Sequence, residues 1–351
     1  MPARALSFTT TAITGRAGLR ARGRIDVVTT QIDDQRTPGE QARVLVRGAV
    51  DYHVHVAPDF VARRITDVEL ARRCLETGQA GFGLKSHYAP TTERAQVVAA
   101  AVPGVIVLGA ITLNRAVGGL NPLAVEVAAR QGARIVWFPT VSSVNEQDEV
   151  LQPGRHAKVP VWVQFELSLR ETGLACEPVP VVDERGALLP EALAVLDVVA
   201  RNNLVLCTGH LGRDEVFRLV EAAAERGIRD IVVTHPEFPS QSIPPDDQVE
   251  LAAMGALMER AFTTPHTGKV SWERVFEATR TVGAERTVWA TDLGQVANPP
   301  VEDGLALMAD AFLADGFTED EIRTMAVANT RRVAGLEPVA ETSVAARDEA
   351  S

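Results

Sequence analysis

Cysteine is scarce. Cys74, Cys176 and Cys207 are the only three in 351 residues, too few and too scattered for a disulfide framework or a thiolate zinc knuckle. That scarcity fits a reducing, cytoplasmic setting. No run of about 18 apolar residues occurs, so no membrane-spanning helix is expected. Cations are outnumbered, with 35 Lys and Arg against 46 Asp and Glu, a formal net charge of −11 that argues against nucleic acid as a partner. Aromatic residues make up only 5%, so the apolar 46% is mostly aliphatic and suffices for a large core. Internal repeats and low-complexity blocks are missing as well.

Between Met1 and Arg24 stand five arginines and no acidic residue, which reads as a disordered basic leader in preference to an organellar transit segment. The expected organisation is an extension over residues 1–46, a catalytic unit over 47–336 and a flexible tail over 337–351. Within the unit, eight short β-branched runs alternate with amphipathic stretches. The runs are Ala49–Val56, Ala80–Lys85, Val105–Ile111, Ala133–Phe138, Leu204–Thr208, Asp230–Thr234, Ala256–Phe262 and Thr287–Thr291. Such alternation implies parallel pairing, and eight units imply a (β/α)8 TIM barrel. A doubly wound sheet would need a Gly-rich turn after the first strand, where His-Val-Ala-Pro-Asp stands instead. One connection is too long for a barrel loop and is expected to be an insertion after strand four, about 140–189, lying over the barrel mouth. Its middle, Val159–Leu169, reads as a strand, and the stretch around Glu184-Arg185-Gly186 as a hairpin.

The first strand reads VDYHVHVAPD. Side chains alternate along a strand, so His53 and His55 are expected on one face, ~7 Å apart, with Tyr52 and Val54 on the other. Barrel active sites lie at the C-terminal strand ends. Strand two ends with Lys85, His87 and Tyr88, and strand three runs into Asn114 and Arg115. Strand four carries Trp137, strand five ends at His210, strand six at His235 and strand eight at Asp292. Five of the seven histidines therefore share one rim. A metal site explains that gathering better than five separate capping or core roles.

The order H-x-H, His, His, Asp on strands one, five, six and eight resembles the metal-dependent amidohydrolase superfamily. LKSHYAPT, NRAVGGLNP, TGHL, VTHPEF and ATDLGQ are similar to an uncharacterised branch of it, and the closing ANTRRVAGL is similar to its final helix. The resemblance implies that His53, His55 and Asp292 hold a first metal, and that His210 and His235 hold a second in two-metal members. In one-metal members, His210 joins the first site and His235 contacts the water or the reacting carbonyl. Two-metal members bridge the ions with a carboxylated lysine or a glutamate on strand four, and ARIVWFPT has neither. Lys85 is the candidate substitute, as a CO2-derived carbamate, or else it pairs with a substrate carboxylate or with Asp59.

Imidazole and carboxylate ligands suit Zn2+, one ion or two, with Mn2+ or Fe2+ as alternatives. The expected chemistry is hydrolysis of an amide, a cyclic amide or imide, or a related C–N bond, with esters and lactones also open. Asp292 is expected to act as general base, with His235 at the developing oxyanion. His87, Tyr88, Arg115 and Trp137 are the expected contacts of a small, anionic substrate, and a homo-oligomer is expected. A mononuclear decarboxylase or lyase is the second reading, and a barrel that only binds a ligand is the third.

Overall fold

The computed structural model describes residues 37–150, 161–174 and 176–337. Eight strands form: β1 (Val50–Val54), β2 (Gly81–Leu84), β3 (Ile106–Thr112), β4 (Ala133–Trp137), β5 (Val205–Cys207), β6 (Ile231–Val233), β7 (Leu257–Ala261) and β8 (Thr287–Ala290). Each lies within two residues of its expected bounds, because β-branched runs between turn residues leave little choice of conformation. They pair in parallel, in sequence order. The seam between β8 and β1 is closed just beyond the strand ends, where Asp292 N–H donates to His53 O at 2.8 Å and His55 N–H donates to Leu293 O at 2.7 Å. The fold is a (β/α)8 barrel.

The helices follow the expected apolar spacing. Asp67–Thr77, Pro190–Arg201 and Trp272–Val282 are among the helices that form. Thr66 and Glu69 make a reciprocal capping box at the first of these, and Gly78 ends it at φ 77°, where glycine has no Cβ to clash. Val50, Tyr52, Leu108, Ile135, Trp137, Val205, Val232, Leu257 and Val288 fill the barrel interior. Two larger clusters pack the strands against the helices outside. The closing helical segment, residues 319–334, is broken by a π turn at Thr324–Ala328. After the turn, Asn329 Nδ2 donates to Thr287 O at 2.7 Å and ties this segment to the start of β8.

Two departures bear on the site. The alternation expected along β1 fails, because its register to β2 slips between Asp51 and Val54. This bulge turns the consecutive residues Tyr52 and His53 toward the same carboxylate, Glu259, and leaves Asp51 bonded to Thr291. In the insertion, Val161–Glu171 is a helix where a strand was expected. Trp162, Phe165 and Leu169 stand at i, i+3 and i+7, and helical spacing prevails over the apparent alternation. The expected hairpin is present as a turn, with Asp183 N–H donating to Ala187 O at 2.8 Å. The expected extension over residues 1–46 ends in a helix, Glu40–Leu45, whose Ala42 and Leu45 join the outer core. Residues 1–36, 151–160 and 338–351, over which the remaining leader, part of the insertion and the tail were expected, lie outside the described residues.

Candidate metal centre

The rim gathers its side chains around one carboxylate. Asp292 Oδ1 lies 3.2 Å from His53 Nε2 and 3.1 Å from His55 Nε2. One ligand atom from each of these three residues falls within 4.8 Å of the others, and among the described residues no other such set is found. Asp292 and His235 both have positive φ, 53° and 27°, a costly conformation for non-glycine residues that concentrates at functional sites. Thr263 Oγ1 donates to Asp292 Oδ2 at 3.0 Å, leaving Oδ1 to the imidazoles. Burial by itself would raise the Asp292 carboxyl, but the His53 and His55 rings hold it well below the usual carboxylate range. His55 is pushed down to about 3, first by burial, so its ring is neutral and able to ligate. Its Nδ1 is buried with no hydrogen-bond partner. Two imidazoles and an anionic carboxylate, converging within reach of one ion, fit a divalent cation.

The other rim histidines are held from behind. His235 Nδ1 lies 3.1 Å from Gln241 Oε1, and Gln241 Nε2 donates to Gly209 O and Thr234 O at 2.7 and 3.0 Å. Those two carbonyls fix the amide orientation, so His235 Nδ1 carries the proton and Nε2 presents a lone pair. Burial, then the neighbouring His210, pushes His235 down to about 3. His87 is held by a hydroxyl. Asn114 Nδ2 donates to Thr140 Oγ1 at 2.7 Å, and the Thr140 hydroxyl in turn lies 2.8 Å from His87 Nδ1. His210 Nδ1 lies 3.4 Å from Glu146 Oε2, a residue of the insertion. Lys85 is buried, which lowers its ammonium from the usual range, and its Nζ lies 2.9 Å from His53 Nε2.

A cavity of about 420 Å³ opens onto this set. His55, Lys85, His87, Tyr88, His210, His235 and Asp292 line it, together with the apolar Phe60, Trp162 and Phe238 and the cations Arg63 and Lys269. Trp137 is fully buried in the barrel interior and does not line the cavity, its ring 5.5 Å from that of His53. Arg115 is exposed and stands outside the cavity, donating to the carbonyls of Glu177 and Pro178 at 3.0 and 2.8 Å. It fastens the insertion to the loop after β3.

Sequence reasoning did not anticipate Glu259, Glu146, Gln241, Arg63 or Lys269. For Glu259 a signal existed: Glu259 and Arg260 are adjacent charges inside an otherwise apolar strand. Arg260 faces outward and is paired, fully buried, with Glu237 and Gln248. The others, Glu146 in a short helix and Gln241, Arg63 and Lys269 in loops, carry no such local signal.

A model of a family of unknown function, DUF6282, matches residues 48–259. No curated protein matches the sequence. Among solved structures, an amidohydrolase from Pseudomonas aeruginosa superposes with a TM-score of 0.56 at 11% identity, covering 85% of this chain and 98% of that one. The probable dipeptidase PvdM from the same organism gives 0.56 at 8% identity, with 84% and 97% covered. A metallopeptidase from Rhodobacter sphaeroides, liganded with a phosphinate mimic of the dipeptide L-Ala-D-Ala, gives 0.53 at 14% identity, with 82% and 99% covered. At these identities the likeness is one of fold alone, the (β/α)8 barrel.

Proposed function

The chain belongs to DUF6282, a family of unknown function, and from its own rim we propose that it is a metal-dependent hydrolase cleaving an amide or related C–N bond of a small anionic molecule. The observation that carries this reading is the convergence of His53, His55 and Asp292 at the mouth of a cavity. A divalent cation held there, zinc by donor type, would acidify a bound water and polarise the scissile carbonyl.

The remaining work falls to the chain's own groups. Asp292 Oδ1, kept ionised by the neighbouring imidazoles, would take the proton of the attacking water and pass it to the leaving nitrogen. His235, with its lone pair on Nε2, would orient that water by accepting from it. With the Thr140 hydroxyl donating to its Nδ1, His87 Nε2–H would donate to the carbonyl oxygen as negative charge develops. Phe60, Trp162 and Phe238 exclude water from the cavity walls. The anionic end of the substrate falls to Lys269 in preference to Arg115. Lys269 Nζ lies over the Phe238 ring at 4.4 Å, and that ring in turn packs on His235 with centroids 4.8 Å apart.

Two of the fold neighbours are named as peptidases, so dipeptides join cyclic amides, imides, lactones and N-acyl amino acids in a first substrate screen. With any substrate found, Asp292→Asn is expected to lower kcat by about 10²- to 10⁴-fold while the circular dichroism of the protein is unchanged. A variant as fast as the wild type would remove Asp292 from the reaction. The single three-residue set equally suits the mononuclear decarboxylase or lyase reading. Release of CO2 from a carboxylated substrate, with no hydrolysis product, would select it.

A further inference from the structure

Glu259 is a buried acid that the hydrolytic scheme does not use. It is wholly inaccessible, midway along β7, and turned with Leu257 toward the barrel interior. An isolated carboxylate in such surroundings is costly, so its partners explain its presence. Its two oxygens are divided between neighbouring residues of β1. Tyr52 Oη donates to Oε2 at 2.7 Å, and Oε1 lies 3.0 Å from His53 Nδ1. A carboxylate has no proton to give, so the hydrogen in the second contact belongs to Nδ1. The lone pair of His53 is thereby placed on Nε2, the atom 3.2 Å from Asp292 Oδ1. A plain counter-ion for Lys85 would set an oxygen against the ammonium, yet the hydrogen-bond partner of Lys85 Nζ is His53 Nε2.

We infer that Glu259 is a positioning residue for the cation site, fixing the tautomer and ring plane of His53 and placing a negative charge behind it. The inference rests on the reading of the rim as a metal site. The bulge in β1 makes the arrangement possible, since only a break in alternation lets consecutive side chains reach one carboxylate. Tyr52 then holds Glu259 from the other side, and its neutral O–H leaves the anion's charge directed at His53. An anion bonded to the far nitrogen of an imidazole raises the basicity of the near one, which strengthens a ligand without touching the ion. His55, whose Nδ1 has no partner, lacks such support, so His53 is the anchored member of the pair.

The test uses the full chain, stripped of metal and titrated with zinc against a competing chelator. Glu259→Gln keeps the shape of the side chain and can still accept from His53, but it removes the charge. Zinc affinity is expected to fall by about 10- to 100-fold, with the melting temperature of the metal-free protein little changed. A folded variant with wild-type affinity would overturn the inference. Independently, ¹⁵N-histidine NMR of the metal-free wild type is expected to place the His53 proton on Nδ1, the signal being assigned by its loss in His53→Asn. A proton on Nε2 overturns the inference even if Glu259→Gln does not fold. A wild type that binds zinc while Glu259→Gln matches it leaves the metal reading standing and removes only Glu259. A wild type that takes up no zinc removes both.

Discussion

Lys85 is the residue on which the number of ions turns. Its side chain is buried, its ammonium is disfavoured there first by desolvation, and Nζ points at a ligand nitrogen of the candidate centre. A carbamate at Nζ would be an anionic bridge between two ions, whereas an unmodified amine is a hydrogen-bond partner of His53. The described residues gather one three-ligand set, and His210 and His235 do not complete a second with a carboxylate. Lys85→Ala is therefore expected to retain one zinc per chain, as measured by elemental analysis. A fall from two equivalents to one would establish the carbamate bridge instead. At this scale the sequence was most informative where chemistry is rare. A histidine at a strand end is conspicuous among 351 residues that contain only seven. It was least informative for Glu259, whose part in the site depends on contacts with β1, and for Gln241 and Glu146, whose side chains reach rim histidines only once the loops fold.

Element by element, the barrel was legible because most strands are short apolar runs bounded by turn residues, and helices such as Asp67–Thr77 and Trp272–Val282 carry an apolar stripe. The β1 bulge was not legible, because Tyr52 reads as an ordinary alternating position. Its cause is found on the neighbouring strand. Gly83 lies where an added Cβ would stand 2.2 Å from Tyr52 O, so β1 can crowd β2 only because this residue has no side chain. Gly83→Ala is expected to force β1 outward and destabilise the protein by about 1–3 kcal/mol, measured by denaturant unfolding. Metal affinity should fall with it, since Tyr52 and His53 share the displaced backbone. A neutral substitution would mean that the bulge does not depend on this glycine. The helix Val161–Glu171 was misread for a related reason: VWVQFELSL satisfies both periods over its short length, and periodicity cannot arbitrate.

Across the whole molecule, the candidate centre coincides with the barrel's closing seam. His53 and His55 belong to the first strand and its exit, Asp292 follows the last strand, and their backbones exchange the hydrogen bonds that join the two. Asp51 adds to the seam by accepting from Thr291 N–H at 3.0 Å and from Thr291 Oγ1–H at 2.5 Å. An ion bound there would cross-link the two ends of the sheet, which links metal binding to the stability of the closed barrel. The most direct measurement is elemental analysis of the full chain, purified after growth with zinc, beside His55→Ala and Asp292→Ala. At least one equivalent of zinc per wild-type chain is expected, and its loss in both variants. A zinc-free wild type, or variants that keep the full complement, would contradict the claim that these three residues hold a metal.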